Sequence, residues 1–498
     1  MIRAVVTIGL LQFVSMSLLL ARTKILAVAL GPGAVGTISV IDKLTALVSQ
    51  SLSLSLPFAA LRFLPAALRE SPDEAALLYR QMRAVTLLLI VPATIVCLAI
   101  SIGAPGRWGA ELLPYQRSVA LAFAGLPVLA FVPFLTNAFA GSMTHSRSMT
   151  FSIAHATVLL VAAVAGAAGL GLDGYYGLYA VLGTILIYVG ARKVGVLDGS
   201  TRSLASLREA VRLPAAVWRF AGALLALTFA APYAALYVQY AAFGLFGADG
   251  SGILQSAIGI SLSVRTLLGT AHAVFLTPQV NRQAEPEARM AWANEFQRTT
   301  VLLFVIALPP LLLFSDVALR VLYSGRFVAA SSFVALFIAA EVVTLLSGTY
   351  QALIIAGDRM LFHVVQNLAA QALLVGVAAI ALPRVGLAGA GLASLAAPLF
   401  LYGTTLLFLR HRYGVRVSRE AALMALLTSG LLISCGFVGS RYSGLSMQML
   451  GTKAGICVLA WLLAYAVMPA EDRARLRSGA ARIAGESLSV MRRLKGGA

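Results

Sequence analysis

Residues 21–48 read ARTKILAVALGPGAVGTISVIDKLTALV and place Arg22, Lys24, Asp42 and Lys43 inside otherwise continuous apolar chain. Two apolar runs meet at the GPGAVG stretch, residues 31–36, where glycine gives the backbone the freedom to reverse. Each flanking run is long enough to cross a bilayer, so the stretch reads as a helical hairpin in a membrane. A charge near the middle of a membrane helix costs about 2.5–3.5 kcal/mol even on the lenient insertion scale, which makes these four side chains candidates for function.

The rest of the chain has the same character. Of 498 residues, 60% are hydrophobic and 11% charged, with a mean hydropathy of +0.89, whereas roughly a quarter of residues are charged in a soluble domain. The first run, from Ile2 to about Leu30, exceeds a signal-peptide core and reads as a retained helix. Fourteen segments are long and apolar enough to span: 3–30, 34–64, 81–104, 116–143, 149–170, 174–196, 215–245, 251–278, 297–318, 329–356, 360–383, 386–409, 421–440 and 448–469. With the N-terminus inside, 27 of the 38 Lys and Arg face the cytoplasm, seven lie outside and four lie in the membrane, which puts both termini in the cytoplasm. The stretches Ser203–Leu213 and Ala474–Lys495 interleave apolar residues with Arg and read either as helices lying on anionic membrane lipids or as a solvated linker and tail.

Shifting the chain by 216 residues superposes Arg3 on Arg219, Gly31 on Gly247, Gly36 on Gly252, Gln81 on Gln297 and Ala140-Gly141 on Ala356-Gly357. The shift covers six spans, an even number, so the two halves share one orientation and are related by an axis along the membrane normal. The expected architecture is all-α: a first lobe of six spans over 1–196, a cytoplasmic linker over 197–214, a second lobe over 215–409, two further spans within 410–469, and a basic tail over 470–498.

The charges do not follow the repeat. Arg22, Lys24, Asp42 and Lys43 face Val238, Tyr240, Ile258 and Gly259, while Arg265 faces Ser49 and Glu341 faces Gly125. Charges added to one copy of a duplicated frame point to a ligand, and transporters built from such repeats bind their ligand between the lobes. At about 1.5 Å per residue, Arg22 lies about 13 Å and Asp42 about 9 Å from the GPGAVG turn, so an ion pair that only ties spans 1 and 2 is the alternative. Lys24 lies about 200° around the helix from Arg22 and snorkelling to the outer surface is its alternative. Arg265, near mid-membrane, faces either a substrate or Glu341 of span 10. Four cations against Asp42 and Glu341 leave an excess of positive charge suited to an anion.

Other chemistry is excluded. The GPGAVGT run has P-loop-like spacing but lacks the phosphate-binding Lys, which removes direct ATP drive. Cys97, Cys435 and Cys457 lie in apolar runs as packing residues, and the five histidines show no metal spacing, so neither a metal nor a cofactor is expected. The net charge of +19 follows the loops and does not imply nucleic acid. Ser49–Pro57, SQSLSLSLP, alternates like a strand within a membrane span, where close packing and cavity lining are its two readings. Gln351, Gln366, Asn367 and Gln371 either bridge spans 10 and 11 or line a wet cavity.

The stretch ARTKILAVALGPGAVGTISVIDKL resembles the first two helices of Wzx-type oligosaccharide flippases, of the MOP superfamily that also holds lipid II flippases and MATE drug exporters. The resemblance implies a non-enzymatic transporter of the bacterial inner membrane that exports an undecaprenyl-diphosphate-linked oligosaccharide, an O-antigen or exopolysaccharide unit of lipopolysaccharide-type polysaccharide biosynthesis, by alternating access. It further implies substrate contacts from Arg22, Lys43 and Arg265, with Lys24 and Asp42 beside them, and glycan polymerase and chain-length machinery as partners; Glu341 joins the candidate site as the charge within reach of Arg265. Membrane potential, protons or sodium are the drives it allows; a lipid II flippase or a cation-coupled drug exporter is the alternative. A glycan polymerase or ligase would need a large outer loop, and none is present.

The charge asymmetry fixes a test of topology. A cysteine placed beside Asp173 is expected to react with an impermeant thiol reagent in intact cells, and one beside Arg202 only after lysis; labelling of the Arg202 loop in intact cells inverts the assignment.

Overall fold

The computed structural model describes residues 2–142, 144–193, 212–271, 285–356, 359–413, 430, 433–439, 441, 444, 446–467 and 473–474. Among them there is no strand. The helices are α1 (Ile2–Ala29), α2 (Gly31–Leu52), α3 (Leu56–Glu70), α4 (Pro72–Gly103), α5 (Gln116–Ala124), α6 (Leu126–Gly141), α7 (His145–Ala165), α8 (Gly171–Arg192), α9 (Ala215–Ala271), α10 (Pro286–Leu313), α11 (Ser315–Leu322), α12 (Val334–Ala356), α13 (Met360–Val385), α14 (Leu387–Tyr413) and α15 (Met447–Val467).

Ten helices among the described residues are long and apolar enough to cross a membrane, and taking α2 and α3, bent by 45° at their break, as one span makes eleven. Two of the ten, Ser146–Arg192 and Ala215–Arg265, run to 47 and 51 residues. At about 1.5 Å per residue each exceeds twice the ~30 Å hydrocarbon thickness. Each also breaks at glycines with positive φ, Gly169 (102°) and Gly171 (60°) in the first and Gly247 (70°) in the second, and so makes two crossings. The protein is a multi-pass all-α membrane protein. The span expected over 421–440 lies outside the described residues apart from 430 and 433–439, so the count of fourteen is not established. The two Arg-bearing amphipathic stretches also lie outside them, apart from Arg212 and Leu213 of the first and Ala474 of the second.

Large apolar side chains point outward around the bundle, Ile95 at 62% and Ile102 at 70% exposure among them. In water that would be an aggregation surface; in lipid it is the expected outer face. Inside, one apolar cluster centres on Ile41, Phe123 and Tyr179 and takes in Phe243 of α9, and another centres on Leu254, Phe304 and Ile338 and takes in Ala27 and Val35 of α1 and α2.

The seam between the lobes is made by α2 against α9. A Cβ on Gly36 would run into the carbonyl oxygen of Ala248 and stand 2.6 Å from the Gly252 amide nitrogen; one on Gly252 would run into the carbonyl of Pro32 and stand 3.1 Å from the Gly36 nitrogen. Ala248 and Gly252 are the repeat partners of Pro32 and Gly36, so each contact is the image of the other, the signature of a two-fold axis. Gly31 (φ 80°) and Gly247 (φ 70°) turn the chain at equivalent points above it. The repeat glycines are thus explained twice, by turn conformation and by backbone contact. The loop over 105–115 adds a further tie across the seam, with the Tyr240 hydroxyl donating to Glu111.

α2 ends at Leu52, and the chain restarts as α3 only after Leu54 (φ 48°) and Ser55 (φ 57°), both left-handed without being glycine. Such residues each cost about 1–3 kcal/mol and persist only where the surroundings enforce them. The break lies just before Pro57, which itself sits in the first turn of α3, where its missing amide is harmless. Among the span glutamines, Gln366 bridges α13 to α14 through Thr404 (2.6 Å) and Thr405 (2.8 Å), spans 11 and 12 rather than the expected 10 and 11.

α15 is held to the second lobe by an ion pair the sequence did not suggest. Lys453 of α15 donates to Asp316 of α11 at 2.6 Å with both side chains fully buried. The second carboxylate oxygen of Asp316 accepts the Gly444 amide at 2.8 Å. Removing one partner of such a pair costs about 3–5 kcal/mol because it strands a buried charge. Lys453→Met is therefore expected to lower the melting temperature and yield in detergent sharply, and Lys453→Met with Asp316→Asn, which keeps an acceptor for Gly444, to recover most of the loss; thermal scans of wild type, single and double variants check this.

Candidate functional site

The α1–α2 hairpin brings Arg22 and Asp42 to one depth, and the pair forms: Arg22 Nη2 donates to Asp42 Oδ2 at 3.3 Å. α8 supplies the rest of the cage. Arg22 also donates to the Tyr175 hydroxyl and stands over the Tyr175 ring, 5.2 Å from its centroid. The Tyr176 hydroxyl donates to Asp42 Oδ1 at 2.9 Å. Beside them His155 Nε2 meets the Tyr179 hydroxyl at 3.3 Å. The Arg22 Nε is buried without a partner, while the Asp42 side chain stays 42% exposed. These tyrosines were missed from the sequence. The run GYYGLYAV, residues 174–181, carried the signal, since a tyrosine hydroxyl inside a span needs a polar partner.

Lys24 points across the seam and donates to the carbonyl of Arg320 at 2.9 Å. That carbonyl lies in the last turn of α11, where unpaired oxygens and the helix dipole favour a cation, so Lys24 caps a helix of the other lobe instead of snorkelling outward. Lys43 also crosses the seam: it donates to Gln255 Oε1 (2.7 Å), Gln239 Oε1 (3.2 Å) and Ser39 Oγ (3.1 Å). Ser39 donates in turn to Gln255 Oε1 at 3.1 Å, and these two residues are repeat partners, 216 apart. Gln239 gives its amide to the Ser251 carbonyl (2.8 Å) and hydroxyl (2.7 Å), clipping the limbs of α9 together across the Gly247 turn.

Arg265 on α9 and Glu341 on α12 approach to 3.9 Å, Nε to Oε2. The contact is an ion pair without a hydrogen bond, since Glu341 Oε2 has no hydrogen-bond partner. The Arg265 side chain is 55% exposed.

A cavity of about 260 Å³ opens between α1, α2 and the second limb of α9. Arg22, Asp42, Ser39, Gln255, Gln12 and Tyr323 line it; Lys24, Lys43, Arg265 and Glu341 do not. Lys43 stands directly behind Ser39 and Gln255, and Arg265 lies two residues past the lining Ser263. The structure thus places two of the six sequence candidates on the cavity, a third behind its wall and the Arg265–Glu341 pair beyond it. Arg22 and Asp42 balance one another, but the acceptors of Lys24 and Lys43 are all uncharged, so the seam keeps their positive charge. No group of three or more His, Cys, Asp or Glu that could hold a metal occurs among the described residues.

Gln255→Glu turns the shortest bond of the Lys43 cluster into an ion pair between lobes. A hydrogen bond to a charged group is worth about 1.5–3 kcal/mol, so the variant is expected to melt higher than wild type and to transport more slowly, with Lys43→Gln in the same chain reversing the stabilisation; thermal scans and flux measurements decide.

No family model matches the sequence, and no curated protein is similar enough to match it. Solved structures do match. A lipid II flippase, MurJ, in an inward closed conformation superposes with a TM-score of 0.66 at 12% identity, covering 93% of this chain and 98% of its own. An inward-facing multidrug resistance transporter of the MATE family gives 0.63 at 16% identity, covering 81% of this chain and 98% of its own. A MOP superfamily transporter from Pyrococcus furiosus, described as having a binding pocket of reverse polarity, gives 0.57 at 16% identity, covering 81% and 94%. Two lobes, a repeat-related seam and these superpositions together give this chain the fold of MOP-superfamily transporters.

Proposed function

We propose that the chain is a flippase that moves an undecaprenyl-diphosphate-linked oligosaccharide, an O-antigen or exopolysaccharide unit, across the bacterial inner membrane by alternating access at the seam. The observation that carries this reading is the charge balance there: Lys24 and Lys43 have only uncharged acceptors, and Arg265 is half-exposed in a loose 3.9 Å pair. A diphosphate supplies the compensating charge. In a site shielded from water, paired N–H donors from a guanidinium hold its oxygens better than a point charge does.

The cavity of about 260 Å³ lies below the usual range for drug-sized ligands, roughly 300–1,000 Å³. It admits a small anionic group, and the glycan requires the lobes to part. Among the bonds that resist parting are those of Lys24, Lys43 and Tyr240, so the same cations that favour the anion also hold the lobes together.

A lipid II flippase is the second reading, supported by the 93% of this chain that the solved lipid II flippase covers, against 81% for the MATE transporter. Both substrates are lipid diphosphates, so the site chemistry is shared. Mass spectrometry of lipid that co-purifies with the protein separates them, and recovery of a cationic drug-like molecule in place of either overturns both.

Arg265→Lys is expected to fold normally and lose about tenfold or more of translocation, because the paired hydrogen bonds are lost while the charge stays. If Arg265 serves only Glu341, Arg265→Ala with Glu341→Ala restores full translocation. Flux in reconstituted vesicles and thermal stability of both singles and the double distinguish the cases, and a stable, inactive double variant supports substrate contact.

A further inference from the structure

A second cavity, of about 640 Å³, opens between α6, α7 and α8. Arg147 and Lys193 line one end, and apolar side chains such as Phe139, Phe151, Leu186 and Val189 line most of the rest; no acidic side chain lines it. We propose that this groove is a binding site for an anionic glycerophospholipid, with its phosphate at Arg147 and Lys193 and part of an acyl chain between α7 and α8. The proposal requires only that the chain spans a membrane and does not depend on the transported substrate.

Antiparallel helices bring the two cations to one end. α7 opens two residues before Arg147, and α8 closes one residue before Lys193. Ala154 and Leu186 lie two turns further in along the two helices, about 10 Å at 1.5 Å per residue, so the lining passes from charged to apolar with depth. Its floor is preformed: the Phe139 and Phe151 rings pack with centroids 5.7 Å apart, and a Cβ on Gly190 would stand 2.5 Å from the Phe151 ring. Val189, 42% exposed, opens the groove to the surrounding lipid. The depth of the charged end is marked independently, since Tyr188 beside it is exposed and the Arg192 guanidinium stands 4.5 Å from the Tyr188 ring centroid. Exposed tyrosine with a cation belongs at the membrane–water interface, where headgroups lie.

The chemistry selects the occupant. Arg147 Nη1 donates to the Lys193 carbonyl at 3.3 Å, which covers the negative end of α8 and holds the guanidinium at the mouth of the groove with its other N–H groups unspent. Neither cation pairs with a carboxylate among the described residues. α7 adds the positive end of its own dipole at the same place. A small soluble anion leaves the apolar length empty, and a neutral lipid leaves both charges uncompensated. A phosphate ester with acyl chains matches both parts, and basic pockets between membrane helices are where such headgroups are held. No lining residue belongs to α1, α2 or α9, the helices of the seam, so the groove is open to bilayer lipid and separate from the transport path.

The test places the full-length protein in mixed micelles with dioleoyl phosphatidylglycerol or dioleoyl phosphatidylcholine and reads lipid retention by native mass spectrometry, with thermal scans in parallel. The wild type is expected to retain phosphatidylglycerol about fivefold or more over phosphatidylcholine, and to melt about 2–4 °C higher with it. Arg147→Gln with Lys193→Gln, both at exposed positions, is expected to fold and to abolish the preference. Val189→Trp keeps both charges but fills the apolar part, and is expected to abolish it too. Equal retention of the two lipids by the wild type overturns the proposal and leaves an unselective lipid annulus. A preference unchanged in the double variant overturns it by placing the lipid elsewhere, and one that survives Val189→Trp does so by reducing the groove to surface charge. Loss of a co-purified lipid diphosphate from the double variant, with phosphatidylglycerol retention unchanged, assigns the groove to the substrate and overturns it as well.

Discussion

Two backbones touch at Gly36 and Gly252, and the rest of the molecule is arranged around that contact. No side chain fits there: each glycine occupies the space where a Cβ on the other strand of the seam would go, and each meets the carbonyl four residues before its partner. In lipid, where apolar burial gives little incentive for helices to associate, such close approach of small residues is a main source of packing energy. Because the contact repeats itself about an axis, it fixes how the lobes face one another. The polar groups of α2 and α9 at the seam are then placed by counting along the two helices: Ser39 opposite Gln255, Lys43 one turn further, and Asp42 beside it turned toward α8.

A symmetric frame carries asymmetric chemistry. Repeat partners of the charged residues are all uncharged, so the seam has one cationic flank and one flank of neutral oxygens. The first is built from long side chains that reach across to backbone and amide oxygens; the second is built from a broken helix and short hydroxyls. Long cations can follow a moving partner, whereas a Ser or Thr oxygen has a reach of a single bond from Cβ. The two flanks therefore respond differently when the lobes shift, the first by exchanging partners and the second by losing its geometry altogether.

What the sequence made legible divides along the same physical line. Spans, the turn glycines and the duplicated order were readable because hydropathy and positive-φ turns are local properties, written in consecutive residues. The depth match of Arg22 and Asp42 was readable too, since a hairpin converts sequence distance into height. Where each cation would turn was not. Lys24 finds the end of α11, and Lys43 finds two glutamines of α9, partners roughly two to three hundred positions away that no periodicity reveals. Gln366 joined α14 and not α12 for the same reason. The break at Leu54–Ser55 was hidden because neither residue favours left-handed backbone; the surrounding structure imposes it.

The Lys453–Asp316 pair has a bearing on biogenesis. Presented to the insertion machinery alone, α15 carries a lysine within its apolar run, a penalty of about 2.5–3.5 kcal/mol at the centre of a helix. Its carboxylate partner was synthesised 137 residues earlier and already lies in the bilayer with the second lobe. Entry of α15 from water into lipid and its docking on α10 and α11 are thus coupled events, since the charge is tolerated only once the two meet. The second lobe acts as an internal receptor for the span that follows it, and the order of synthesis guarantees that the receptor is there first.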